Sequence, residues 1–352
     1  MVGKKASIHA ATILLGASRY RVKADVTGFS SPSIAGKLSA DVLNIDEIVH
    51  VIAGLTTSKE PPAAPQPSGE KVFSAEVAVE ANEMRFGKFN AGAVSTVWHG
   101  SGRKQEFRPL HLEAFGGDLK GAFDLTIQKN GTSWHCDFTG KEMDLALLFD
   151  QLIEDALKVG AQGLLNVKGN LRGASSHQEE KRWRSLNGEL TFEATEGAIK
   201  GSPLLNSIVL AMQLPVSVLF APGAALVERL KETAKKKGRN LLDNQFVFKK
   251  INSTFYLVDG IANTDGSHFE GKTVDLRFTG DIDLPENQID MKIKAATIGP
   301  VGLVLPKVPV VGKELEKARE SAFSLTFSAS GPLDETKLHL SPLDRLKSKI
   351  KQ

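Results

Sequence analysis

A mainly β fold, built of antiparallel strands with several amphipathic helices inserted, is predicted by three observations. The first is strict alternation: Val274, Leu276, Phe278, Ile282 and Leu284 are interleaved with Asp275, Arg277, Thr279, Asp281 and Asp283, and Ile289, Met291 and Ile293 follow after a polar turn. Side chains of a strand point to opposite faces in turn, so such runs make strands with one apolar face. The second is the Asn130-Gly131 pair, a strong two-residue hairpin signal, with Trp134, Cys136 and Phe138 on the returning strand. The third is a change of period in two segments, 143–159 and 203–237, where apolar spacing turns helical.

Taken in order, Tyr20 to Val42 reads as two strands turned at Phe29-Ser30-Ser31-Pro32. A short helix from Ile45 to Leu55 follows, with Asn44 as its cap. Residues 1–58 thus make an N-terminal group of strands plus helix. Residues 59–70, with four prolines between Pro61 and Pro67, form an extended linker or long loop. Strands then recur over 71–342: Phe73–Ala81, Val94–Trp98, Phe107–Phe115, Leu119–Ile127, Leu164–Leu171, Leu186–Ala194 and Phe246–Leu340, each expected to pair with an antiparallel neighbour. Leu145, Leu148, Leu152, Ala156 and Val159 fall on one helical face. Residues 343–352 are a basic tail.

Composition narrows the function classes. Hydrophobic residues at 41% and charged residues at 24% match a folded chain rather than a disordered one. A net charge of +3 from 44 basic and 41 acidic residues supplies no broad basic field for a phosphate backbone, so nucleic acid is not expected as a partner. The single cysteine, Cys136, excludes an internal disulfide. Met1-Val2-Gly3-Lys4-Lys5 leads into a mixed segment and then Arg19, Arg21 and Lys23, which does not read as a signal peptide.

The uncharged stretch from Gly201 to Val227 is long enough to span a bilayer, but Pro215 and Pro222 interrupt it, so it reads as two broken amphipathic helices. Leu204, Leu205, Ile208, Leu219 and Phe220 on these helices, with Lys235, Lys236 and Lys237 just beyond, form a candidate membrane-contact surface. A basic residue near an anionic membrane contributes about 1 kcal/mol. The plain alternative is a solvated helix end, where lysines suit the dipole.

No catalytic or metal constellation emerges. Gly266 to Thr273 matches the phosphate-loop pattern, but Val274 to Phe278 continues as a strand where a helix would be needed. The eight histidines are scattered without metal-ligand spacing. His135 and Cys136 are adjacent on a strand and so face opposite sides. No enzyme activity and no cofactor are expected.

Phe115-Gly116-Gly117-Asp118-Leu119-Lys120-Gly121 resembles the Gly-Gly turn in the C-terminal region of the AsmA family of bacterial envelope proteins. Ser185 to Leu190, Glu196 to Leu205, Phe255 to Gly260, Gly280 to Leu284, Pro309 to Gly312 and Gly331-Pro332-Leu333 follow in the order of that family's pattern. AsmA relatives are similar to TamB and the bridge-type lipid transfer proteins, whose long twisted antiparallel sheet curls into an open apolar groove. The resemblance implies the same fold here. It also implies phospholipid binding and transfer across the periplasm, in support of outer-membrane assembly and lipid homeostasis. The groove floor would be Val274, Leu276, Phe278, Ile282, Leu284, Ile289, Met291, Ile293, Phe323, Leu325 and Phe327. Expected partners are phospholipid acyl chains, a membrane surface, and other envelope proteins or a separate membrane anchor. The expected address is the periplasm or cell envelope, at the inner membrane. From alternation alone the same residues would more often fill a β-sandwich or a closed barrel, since one-faced strands mostly pack on protein; the family resemblance is what points to the groove. A second functional reading is a non-transporting assembly factor or scaffold for outer-membrane proteins.

Overall fold

In the computed structural model the described residues are 5–16, 18–28, 31–48, 73–128, 131–152, 160–175, 183–202, 204, 205, 208, 212, 245–298, 324–333 and 335–341. The Pro-rich segment 59–70, most of the helical segment 203–237 and the basic tail lie outside them. The strands are β1 (Lys5–Leu15), β2 (Ser18–Thr27), β3 (Ser33–Asn44), β4 (Ser74–Phe86), β5 (Phe89–Ala91), β6 (Val94–Ser101), β7 (Lys104–Ala114), β8 (Gly117–Gln128) and β9 (Gly131–Asp144). They continue with β10 (Gly160–Ser175), β11 (Asn187–Lys200), β12 (Gln245–Val258), β13 (Ile261–Gly271), β14 (Val274–Asp283), β15 (Gln288–Thr297), β16 (Ser324–Pro332) and β17 (Lys337–Ser341). All seventeen belong to one hydrogen-bonded sheet.

The expectation of several amphipathic helices is corrected. Among the described residues the one regular α-helix is α1 (Leu145–Leu152), whose first turn is capped by Asp144 Oδ1 accepting from the Ala146 amide at 2.7 Å. A helical turn begins at Ile45, and Asn44 caps it as its sequence position predicts, accepting from the amides of Asp46 (3.1 Å) and Glu47 (3.3 Å). The period-2 pattern won over most of the chain because cross-strand partners of matching polarity are available on both sides of nearly every strand.

The chain divides into two compact units: residues Met1–Met143 with Lys168–Arg182, and Asp144–Val167 with Trp183–Gln352. In the first unit β1 to β4 and β6 to β9 pair in chain order, with the short β5 paired to the end of β4. One pairing departs from the expected meander. β3 and β4 run parallel, from Ser33↔Ser74 to Asn44↔Arg85. A parallel pair needs a crossover of a dozen or more residues, and the segment between Asn44 and Ser74, which carries the Pro-rich run, supplies that length. β1 was not predicted, because Ile8, Ile13 and Leu14 are too unevenly spaced to read as alternation. A register shift between Ile8 and Ala11 in its pairing with β2 is the physical reason.

In the second unit β11 to β17 form an uninterrupted antiparallel meander. Gly280 sits in β14 at φ +138°, and a Cβ there would run into the Asp290 carbonyl oxygen of β15. Glycine is therefore required by this close approach of two strands. The sequence Gly266 to Thr273 forms the end of β13 and a turn, with the Lys272 amide donating to the Val247 carbonyl at 3.0 Å. A strand, not a helix, follows it, as the alternation from Val274 requires.

Candidate functional site: two apolar faces

Each unit carries one apolar sheet face, and the two differ in how open they are. In the second unit, registered partners stack the predicted floor residues into rows. Phe278 lies opposite Ile293, which lies opposite Phe327; Leu276 lies opposite Ala295, then Leu325; Ile282 lies opposite Ile289. Val274, Leu276, Phe278, Ile289, Met291, Ile293, Leu325 and Phe327 are all buried, with Leu276, Ile293 and Phe327 fully so. Ile282 and Leu284 are half-buried, and Phe323 lies outside the described residues. The structure thus brings the predicted residues onto one face, and that face is packed. Phe269 and Phe278 meet at 4.7 Å between ring centroids, and Phe246 and Phe269 at 6.4 Å.

Within this packed face sits a small polar group. Ser253, Thr264 and Ser267 are 4%, 1% and 3% exposed. Their hydroxyls bond to one another, Ser253 with Ser267 and Thr264 with Ser267, the latter at 2.6 Å. Mutual pairing is what allows hydroxyls to be buried among aromatic and aliphatic side chains at modest cost.

The first unit is different. Its registered rows read Ala24, Gly36, Val77, Trp98, Phe107, Phe123 and Cys136, and alongside them Val22, Leu38, Val79, Thr96, Leu110, Gly121 and Phe138. Neither row contains a charge. Most of these side chains, including Val77, Trp98, Phe107, Phe123 and Phe138, are only half-buried. The row Tyr20, Ala40, Ala81, Val94 and Leu112 is buried, so this face is packed along that row and accessible along the others.

Glycines lower this accessible floor. A Cβ at Gly169 would strike the Phe138 ring, and one at Gly173 would meet the Trp134 ring at 2.7 Å. The rings therefore lie across the neighbouring strand instead of standing away from it. The Trp98 indole is held down in another way, donating to Gln105 Oε1 at 2.8 Å. Phe107 and Phe123 are tilted against each other at 6.1 Å.

Behind these rows, the opposite side of the strands is charged. Lys37 pairs with Glu80 at 2.6 Å, Lys5 with Asp25 at 3.1 Å, and Arg108 with both Glu106 (2.8 Å) and Asp124. The Asp25 carboxyl is held below its ordinary range by hydrogen bonds from Ser7 and Lys5, and Glu106 by its bond to Lys104. On the apolar side, burial pushes the Cys136 thiol up, with Asp137 and Asp124 adding to the effect. His135 faces away from Cys136 and lies 3.3 Å from Asp137, so the two form no dyad.

Of the predicted membrane-contact residues, Leu205 and Ile208 are buried at 6% and 0% exposure and Leu204 is half-buried. These positions face the interior in this structure. Leu219, Phe220, Lys235, Lys236 and Lys237 lie outside the described residues. Among the described residues no helix is long and apolar enough to cross a membrane, and no group of three or more His, Cys, Asp or Glu could hold a metal ion.

Sequence reasoning placed the candidate lining in the second unit and did not single out the half-open face of the first. The signal was present in both, since Val77, Val79, Phe107, Phe123 and Phe138 alternate as cleanly as Val274 to Phe278. Alternation reports that a face is apolar, not how much of it protein covers.

A family model described as YhdP protein matches residues 19–338. The chain belongs to the YhdP family. YhdP proteins are AsmA-like, so the resemblance read from the glycine turns is right at the level of the wider family. No curated protein and no solved structure gives a significant match.

Proposed function

We propose that this chain binds phospholipid and transfers it across the bacterial periplasm, in support of outer-membrane assembly and lipid homeostasis. The single observation that carries this reading is the half-open, uncharged face of the first unit. Membership of an AsmA-like envelope family supports it.

An apolar face in water is unfavourable by about 25 cal/mol per Å², so every 100 Å² that an acyl chain covers gains roughly 2.5 kcal/mol. Acyl chains need no hydrogen-bond partners, and the row running through Val77 to Cys136 carries no charge, its Trp98 indole being already paired with Gln105. Backbone polar groups are already paired in the ladder, so the floor presents mostly carbon to a guest, with the Cys136 thiol and the Thr96 hydroxyl among it. Rings laid over Gly169 and Gly173 keep that floor shallow enough for a chain to slide along it. Head groups stay in water, and the chemistry requires no acid, base, metal or cofactor. The work is done by exchange of one apolar covering for another.

The first-unit face is the accessible part of the path. The packed face of the second unit, including Phe278, Ile293 and Phe327, then serves mainly as the core that holds its strands in register. The experiment is native mass spectrometry of chain purified without detergent, beside transfer of labelled phospholipid between liposomes. Bound phospholipid that is lost in Phe123→Asp, with the far-ultraviolet dichroism unchanged, is the expected result. A folded, lipid-free chain that transfers nothing would refute the reading and favour the scaffold alternative.

A further inference from the structure

Beyond lipid transfer, one end of the second unit collects large apolar side chains that the sheet does not cover. Tyr256 (52% exposed), Val258 (62%) and Ile261 (41%) project from the side of β12 and β13 opposite the packed face, with Val258 and Ile261 directly paired. Trp183 (51%) and Leu333 (38%) are brought to the same end by backbone bonds. The Trp183 carbonyl accepts from Leu186, whose own carbonyl accepts from Gly260, and the Leu333 amide donates to Asn287. This end is built, not frayed. The Asp259 amide donates to Asn187 Oδ1 at 3.2 Å, and Arg184 pairs with Glu286.

Large apolar side chains left exposed at one end of a sheet mark an interaction site. Its surroundings say which kind. The strand row through Tyr256 runs Glu189, Tyr256, Asn263, Asp281, Asp290, Ser330 and Lys337, and Asp283 lies opposite Ile261 in the adjacent row, so the acids lie nearest the apolar side chains and the lysine at the far end. Among the described residues, Arg184 beside Trp183 is already paired to Glu286. An acidic rim repels the anionic surface of a membrane, where basic residues would be expected instead. It attracts a protein segment that carries lysine or arginine beside aliphatic or aromatic side chains.

We infer that this strand end is a docking surface for another protein, engaged through a basic, apolar-faced segment. The inference does not depend on lipid being carried, and loss of lipid binding would leave it standing. It also differs from the basic-helix membrane contact expected from sequence, because here the acids are on this chain and the cations on the partner.

The test is photo-crosslinking in cells with p-benzoylphenylalanine at Val258, with Lys23, exposed on a strand of the first unit, as the control position. The expected result is a discrete protein adduct at Val258 and none at Lys23. The cross-linked peptide of the partner should carry lysine or arginine beside apolar residues. Adduct yield should fall about tenfold in Glu189→Lys with Asp290→Lys, as a like-charge rim opposes the encounter. Adducts only to phospholipid, only to a second copy of this chain, or no stronger than at Lys23 would overturn the inference. So would a protein adduct indifferent to the charge reversals.

Discussion

The contrast between a packed and an open apolar face makes a quantitative demand on stability. Phe327 is fully buried, registered against Ile293 and one row from Leu325 and Ala295. Cutting it to alanine removes the ring and leaves a cavity in a face that has little room to collapse. For a fully buried phenylalanine the cost is about 3–5 kcal/mol. In a unit of this size each kcal/mol moves the melting temperature by about 2–4 °C, so Phe327→Ala should melt roughly 6–20 °C lower. Phe123 is half-buried, and part of its ring faces solvent in the folded state. Phe123→Ala should cost about half as much or less, since less area is removed from water. Urea unfolding of both variants, followed by calorimetry, separates the two environments. A Phe327→Ala cost no greater than that of Phe123→Ala would refute the assignment of packed and open faces. Adding phospholipid sharpens the test: a ligand at 100 times its Kd stabilises by about 2.7 kcal/mol. That gain should survive in Phe327→Ala and vanish in Phe123→Asp.

Three further outcomes are expected. Asp275 Oδ1 is buried without a hydrogen-bond partner, and burial raises its pKa; the folded state therefore holds the proton more tightly than the unfolded one. The resulting penalty is present at neutral pH and disappears as pH falls below the ordinary aspartate value of about 3.9. Asp275→Asn should raise the melting temperature at pH 7 and lose that advantage in acid, as thermal melts across pH would show. Gly280→Ala should destabilise by about 1–3 kcal/mol, read from urea unfolding, because φ +138° and the Asp290 carbonyl both exclude a Cβ. Cys136 lies on the accessible face with its thiol pKa raised, so maleimide should label it more slowly at pH 7 than a free thiol. Bound phospholipid should slow the labelling further, and lipid-independent rates would argue against a guest on that face.

Much of this architecture was legible because period-2 alternation is a local property. The strands from Tyr20 to Leu340 and the Asn44 cap all follow from residues within a few positions of one another. What was not legible depends on distance. The parallel β3–β4 pair requires knowing that the chain crosses over between Asn44 and Ser74, and nothing inside either strand records its neighbour's direction. The bulge in β1 hides its alternation by moving Ile8 and Ala11 out of step. The buried state of Leu205 and Ile208 likewise depends on what packs over them, whereas their sequence shows only an apolar helical face.

The same limit explains why alternation singles out Val274 to Phe327 as a candidate lining without showing how far protein covers that face. Val274 to Phe327 and Val77 to Phe138 are equivalent as patterns, yet one set is sealed and the other half open. The proposed transfer of lipid needs both kinds of surface. A sheet with every row exposed would lack the few kcal/mol that keep a domain folded, and one with every row packed would have no floor to offer. On that proposal the tasks fall to different strands: the buried Phe278, Ile293 and Phe327 would hold register, while the half-buried Val77, Phe107 and Phe123 would be left for a guest. It follows that substitutions in the first set should act on folding and those in the second on binding. A variant that emptied the first-unit floor of lipid while leaving stability unchanged would separate the two tasks in one molecule.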